Sequence, residues 1–110
     1  MTTVTLSYGK NGALKKCQAN GHAHFSKKGN DIVCAAVTVL IRTAMQVLSH
    51  NENVLMIADA STRGNLSFTV EAKSEDSVTE TQLICIGDFL RTGIKALTKE
   101  FPENVILTED

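Results

Sequence analysis

Two long helical patterns, each preceded by a pair of strand-like segments, restrict this chain to a layered fold of helices and strands. Apolar residues recur at helical spacing from about residue 31 to 50 and from about residue 78 to 100. Residues 3–8 and 66–72 instead alternate between apolar and polar side chains, which is typical of half-buried strands. With the segments described next, the predicted order is β-β-α-β-β-α-β.

Three further segments complete the predicted sheet. Residues 13–20 alternate weakly, and their paired lysines favour an exposed or edge position. The continuous apolar run at 54–58 is consistent with a central strand, and 105–107 forms a short last strand. Two helices on a small mixed or antiparallel sheet make a two-layer α+β sandwich, which we expect to be one domain over residues 1–110. The pattern leaves the order of the strands open.

The first predicted helix is apolar around most of its circumference. One stripe consists of Val33, Val37, Leu40, Ala44 and Val47, and it is widened by Ile32, Ala36, Val39 and Met45. A helix of this kind is buried on most sides, so in so short a chain we expect a second subunit to supply part of the cover. Its longest apolar stretch, near 32–41, is expected to be too short to span a membrane.

Charge and N-terminal composition narrow the function classes. Eleven basic and twelve acidic residues give a formal net charge of -1, which offers no case for a nucleic-acid or anionic-membrane binder. The N-terminal residues lack the basic segment and apolar run of a signal peptide, so we expect a cytoplasmic protein. An odd count of three cysteines argues against a disulfide framework, and we expect Cys17 and Cys85, at apolar positions, to be structural.

The segment from residue 21 to 37 holds the parts of an activated thiol nucleophile. Cys34 falls in the first turn of the predicted helix, where unpaired amides and the helix dipole favour a thiolate. His22 is the natural general base, because imidazole exchanges protons near neutral pH. Asp31 shares a helical face with Cys34 and is expected to orient the histidine, while Thr38 adds a hydroxyl on that face.

The residues around His22 are predicted to form a substrate loop. It comprises Gly21, Ala23, His24, Phe25 and Gly29, and we expect it to be mobile and to close over a peptide. Phe25 is a candidate contact for an apolar substrate side chain, and His24 is a second candidate base.

Two other interpretations of these residues stay open. Cys34 alone fits a small core residue, and Asp31 alone fits a helix cap. His22, His24, Asp31 and Cys34 together offer nitrogen, sulfur and oxygen ligands that zinc accepts, although the paired spacings of structural zinc sites are absent from the sequence. The main expectation is a site with no metal and no cofactor.

The motif Gly21-His22-Ala23, followed by Gly29 and by Asp31 to Val37, closely resembles the signature of the Prp family of ribosomal-processing cysteine proteases, also called YsxB-like proteins. Thr38 departs from the family pattern, which usually has serine there, but keeps the hydroxyl. The resemblance implies that His22 is the catalytic histidine, Cys34 the nucleophile and Asp31 a supporting residue.

The resemblance also implies a substrate and an assembly. Family members are homodimers that remove an N-terminal extension from bacterial large-subunit ribosomal protein 27, cutting after an aromatic pair and before a small residue. We therefore expect a cysteine endopeptidase without direct nucleic-acid or membrane partners. The alternative is a non-enzymatic ribosome-assembly factor that binds the same segment without cutting it.

Overall fold

The computed structural model describes residues 1–21, 30–60 and 64–110, apart from the side chains of residues 30 and 31. Five strands and two helices follow the predicted order β-β-α-β-β-α-β. They are β1 (Thr2–Tyr8), β2 (Leu14–Gly21), α1 (Asn30–Ser49), β3 (Val54–Asp59), β4 (Asn65–Ala72), α2 (Ser77–Glu100) and β5 (Val105–Glu109). The two-layer α+β class is confirmed.

The strands form one mixed sheet in the order β3-β4-β2-β1-β5. β1 runs antiparallel to β2 and parallel to β5, and β2–β4 and β3–β4 are antiparallel. The parallel pair requires a crossover connection, because β5 must return to the same end of the sheet from which β1 starts. The prediction of a central β3 was wrong, because β3 is an edge strand. β2 lies in the interior of the sheet, and its paired lysines are exposed, which is the first of the two positions predicted for them.

Alternation along the strands places one face of the sheet against the helices. Leu6 of β1 pairs with Cys17 of β2, which pairs in turn with Phe68 of β4, and all three side chains are buried. Burial of a large apolar side chain contributes about 1.5–3 kcal/mol to stability, so this row is a main source of cohesion between strands and helices. The error for β3 is visible at its outer face, where Ile57 is 66% exposed.

α2 begins at a polar cap next to the predicted one. The sequence suggests a capping box between Ser77 and Glu80, but the N-cap is Asp76, whose carboxylate accepts hydrogen bonds from the amide and hydroxyl of Thr79 at 3.3 Å and 2.7 Å. Glu80 accepts a hydrogen bond from the Asn11 side chain instead. The hydrogen bond from Thr79 lowers the pKa of Asp76, as expected for a carboxylate that is bonded in its charged form.

Within the described residues of a single copy of the chain, α1 is covered on one side only. Its buried stripe is Val33, Val37, Ile41, Ala44 and Leu48. The predicted stripe was wrong at two positions, where it had Leu40 instead of Ile41 and Val47 instead of Leu48. Ile32, Val39 and Val47 are exposed on the other side, Val39 at 64%. By length and composition alone, the 18 residues Ile32–Ser49 of α1 are apolar enough to cross a membrane, a test that core helices also pass; this window extends beyond the stretch near 32–41 to which the prediction applies.

Candidate active site

Cys34 is half-buried, one turn into α1. The helix begins at Asn30, which makes Cys34 its fifth residue, just beyond the predicted first turn. Side chains of a helix lean toward its N-terminus, so the thiol is directed to the turn whose backbone amides have no partner within the helix. Those amides are suited to stabilise a thiolate or an oxyanion.

The start of the sheet contacts the thiol from the other layer. The hydroxyl oxygen of Thr2, the first residue of β1, lies 3.7 Å from Sγ of Cys34, within the range of a hydrogen bond to sulfur. Gly21, at the end of β2, is the register partner of Thr2. A β-carbon added at Gly21 would lie 3.1 Å from the Thr2 hydroxyl and 3.9 Å from the Cys34 sulfur. Glycine at this position therefore leaves the space beside the thiol open.

A cavity of about 290 Å³ opens next to Cys34. Its walls come from β1, β2, α1, β4 and the residues that precede β4. They are Thr2, Ala19, Gly21, Cys34, Val37, Thr38, Arg42, Ala60, Gly64, Asn65 and Leu66. Ala19, Val37 and Leu66 make part of the wall apolar, so the cavity can accept an apolar side chain beside the thiol.

The structure brings together three of the residues that the sequence selected and adds two that it missed. Cys34, Thr38 and Gly21 line the same cavity. Arg42 continues the series of Cys34 and Thr38 at a spacing of four residues, which could have identified it as part of the same helical face. Thr2 shares the strand parity of Val4 and Leu6, and that parity places it on the helix-facing side of β1.

The remaining predicted site residues lie outside the described part of the chain. They are His22, Ala23, His24, Phe25 and Gly29, together with the side chain of Asp31. The zinc alternative depends on three of them. Within residues 1–21, 30–60 and 64–110, no group of three potential metal ligands is close enough to hold an ion, and the zinc alternative remains a hypothesis about the other residues.

The two other cysteines differ from Cys34 in their surroundings. Cys17 is fully buried in the core, and burial raises the pKa of its thiol to about 12, so it stays protonated and inert at neutral pH. Cys85 is exposed on α2, contrary to the prediction of an apolar position. Neither cysteine lines the cavity at Cys34.

A second, larger cavity of about 840 Å³ lies between the β1–β2 turn and the start of α2. The described residues that form its walls include neither cysteine nor histidine. We assign the candidate active site to the smaller cavity, because there, among the described residues, a cysteine thiol meets an open space near a helix N-terminus.

A half-buried thiol near the start of a helix, opening on a cavity, is the arrangement of a cysteine hydrolase. A family model described as cysteine protease Prp matches residues 1–106. The chain therefore belongs to the Prp family of cysteine proteases. No curated protein sequence matches the chain.

Several solved structures share the fold. The ribosomal processing protease Prp from S. aureus, in complex with a substrate peptide, has a TM-score of 0.81 and 16% identity, with 100% of both chains covered. The same protease with a covalently linked product peptide has a TM-score of 0.76 and 21% identity, again over 100% of both chains. A protein from Streptococcus mutans has a TM-score of 0.74 and 24% identity, over 99% of this chain and 93% of its own.

Proposed function

We propose that this protein is a cysteine endopeptidase that removes the N-terminal extension of bacterial large-subunit ribosomal protein 27. The observation that carries the proposal is the Cys34 thiol, half-buried beside a cavity and close to the unpaired amides of α1. Membership of the Prp family and the likeness to a ribosomal processing protease that binds a substrate peptide support the substrate class.

In the proposed reaction, His22 accepts the proton of the Cys34 thiol, and the thiolate forms a bond to the scissile carbonyl carbon. The amides of the first turn of α1 stabilise the negative charge that develops on the carbonyl oxygen. His22 returns the proton to the nitrogen of the leaving amine as the carbon–nitrogen bond breaks. Water then hydrolyses the thioester and restores the free enzyme. Asp31 holds the imidazole in the productive orientation.

The cavity supports cleavage after an aromatic pair and before a small residue. Its apolar wall at Ala19, Val37 and Leu66 suits an aromatic side chain, and Thr38 places a hydroxyl near the thiol for contact with the substrate backbone. In this proposal, the segment from Ala23 to Gly29 closes over the bound peptide, with Phe25 against its apolar side chains and His24 available to assist His22.

A second copy of the chain is proposed to cover the exposed face of α1. Ile32, Val39 and Val47 are spaced seven and eight residues apart, so they form one stripe on the helix. Exposed apolar stripes of this kind favour association. We assign the stripe to a homodimer in the cytoplasm, and we propose no membrane or nucleic-acid partner.

The direct test is cleavage of the extended ribosomal protein, read by intact mass. We expect the protein to release one defined N-terminal peptide, and we expect Cys34→Ala to release none. Cys85→Ser is the matched control, because it removes an exposed thiol that does not line the cavity and should leave turnover nearly unchanged. Cleavage by Cys34→Ala would refute the assignment of the nucleophile. Binding of the substrate without any cleavage by the unmodified protein would favour the assembly-factor alternative.

A further inference from the structure

We propose that the Thr2 hydroxyl donates a hydrogen bond to the Cys34 thiolate and thereby increases the reactivity of the nucleophile. This role rests on the proposed function of Cys34. It gives the sheet, and not only the helix and the histidine, a part in preparing the thiol.

The position of the Thr2 hydroxyl is fixed by the strands on either side of it. Thr2 is 6% exposed and pairs with Gly21 of β2 and Val105 of β5. Its backbone amide donates to the carbonyl of Asn104 at 2.8 Å. With its backbone held on both sides in the middle of a sheet, Thr2 presents its oxygen 3.7 Å from Sγ of Cys34 without the freedom of a surface side chain.

The chemistry of the contact depends on the protonation state of the sulfur. A thiol is both a weak donor and a weak acceptor, so with the neutral form either atom can donate. A thiolate can only accept, and hydrogen bonds to an ionised acceptor are shorter and stronger than those between neutral groups. The contact therefore favours the charged sulfur. Catalytic hydrogen bonds are often long before substrate binds, which accounts for a separation near the long end of the range.

Few other groups in the described residues act on this sulfur. Among the described residues that line the cavity, Arg42 is the only ionisable side chain besides Cys34 itself, and it is exposed. The proposed contributions of His22 and Asp31 come from outside the described side chains. From the sheet, Thr2, Ala19, Gly21, Asn65 and Leu66 line the cavity. Thr2 carries the one hydroxyl among these five, and its oxygen lies 3.7 Å from Sγ of Cys34.

The experiment compares Thr2→Val, which keeps the side-chain shape without the hydroxyl, with Thr2→Ser, which keeps the hydroxyl. All variants carry Cys85→Ser, so that exposed Cys85 does not consume the reagent. Any tag is placed at the C-terminus, which lies beside the end of β1 opposite to Thr2. Alkylation of Cys34 by iodoacetamide is followed by peptide mass as a function of pH. We expect Thr2→Val to displace the rate profile to higher pH and to slow alkylation at neutral pH about tenfold. Thr2→Ser should stay within about twofold of the unmodified protein.

A Thr2→Val profile that coincides with that of the unmodified protein would overturn the proposal. An equally displaced profile for Thr2→Ser would also overturn it, because the effect would then follow packing and not the hydroxyl. Circular dichroism checks folding, and Thr2→Ala against Thr2→Ser provides the same comparison if Thr2→Val does not fold. Cleavage by Cys34→Ala would refute the proposed function separately, since the alkylation assay needs no substrate.

Discussion

Gly64 and Gly12 offer a matched test of how tightly the wall of the candidate site is packed. Both have a positive φ, 81° and 86° respectively, so alanine at either position takes a left-handed conformation. A β-carbon at Gly12 would meet no atom within 4 Å, whereas one at Gly64 would overlap the backbone carbonyl oxygen of Gly21. The two substitutions therefore share the conformational cost and differ in the contact.

The expected magnitudes follow from these two terms. The left-handed conformation costs an alanine about 1–2 kcal/mol, partly offset by the lower entropy of the unfolded chain, so Gly12→Ala should lose about 1 kcal/mol. Overpacking adds about 1–3 kcal/mol, and Gly64→Ala should lose about 2–4 kcal/mol in total. The overlap is difficult to relieve, because the atoms that the new β-carbon meets belong to the backbone of Gly21. That backbone is also held in place by the hydrogen bond that the Gly21 amide donates to the Gly64 carbonyl at 2.7 Å.

Urea denaturation followed by circular dichroism is the suitable assay, because the chain has no tryptophan and only one tyrosine for fluorescence. Protein concentration is kept constant across variants, since association contributes to apparent stability. Gly64→Ala should also slow peptide cleavage by displacing Gly21 beside the thiol, while Gly12→Ala should not. Equal losses of stability for the two variants would refute the reasoning, because the contact at Gly21 would then contribute nothing.

Three other changes test the cap, the core thiol and the exposed face of α1. Asp76→Ala removes the acceptor for Thr79 and should lower the free energy of unfolding by about 1 kcal/mol in urea denaturation. Burial raises the pKa of Cys17 from 9.0 to about 12, so above about pH 9 the unfolded chain loses a proton that the folded state retains, and stability falls as the pH rises toward 12. Denaturation at neutral pH and at about pH 10.5 measures this decline, and Cys17→Ala should reduce it by about 2 kcal/mol. An unchanged decline would contradict its assignment to the Cys17 thiol. Val39→Lys should convert the proposed dimer to a folded monomer by light scattering, while Val78→Lys, at an exposed apolar position on α2, should not; a dimer that survives Val39→Lys would place its interface elsewhere.

Local periodicity was sufficient to predict the elements but not their neighbours. The order of all seven elements and the two-layer class follow from patterns of a few residues. β3 shows the limit, because its apolar run resembles a buried strand although Leu55 and Ile57 are exposed at the sheet edge. Whether an apolar strand is central depends on which strands pair with it, and these pairings join segments far apart in the sequence.

The candidate site was likewise predictable where it depends on local spacing and not where it depends on contacts between distant segments. Cys34 and Thr38 could be placed on one face from helical spacing alone, and the structure places both on the cavity. The contact of Thr2 with Cys34 joins residues 32 positions apart, and it exists because β1 lies between β2 and β5 with its first residue under the start of α1. Strand parity can assign Thr2 to the helix-facing side of the sheet, but only the strand order brings it to the thiol.

The small residues around Cys34 explain why the cavity is there at all. Two helices packed on a five-stranded sheet would normally fill the space between the layers with large apolar side chains, as Leu6 and Phe68 do farther along the sheet. At the start of α1, Gly21 leaves that space unfilled, and Gly64 brings the chain close behind it. A larger side chain at Gly21 would contact both the Thr2 hydroxyl and the sulfur and would occupy this space. Gly21 and Gly64 therefore keep the thiol accessible to a peptide while the rest of the interface between the layers stays packed.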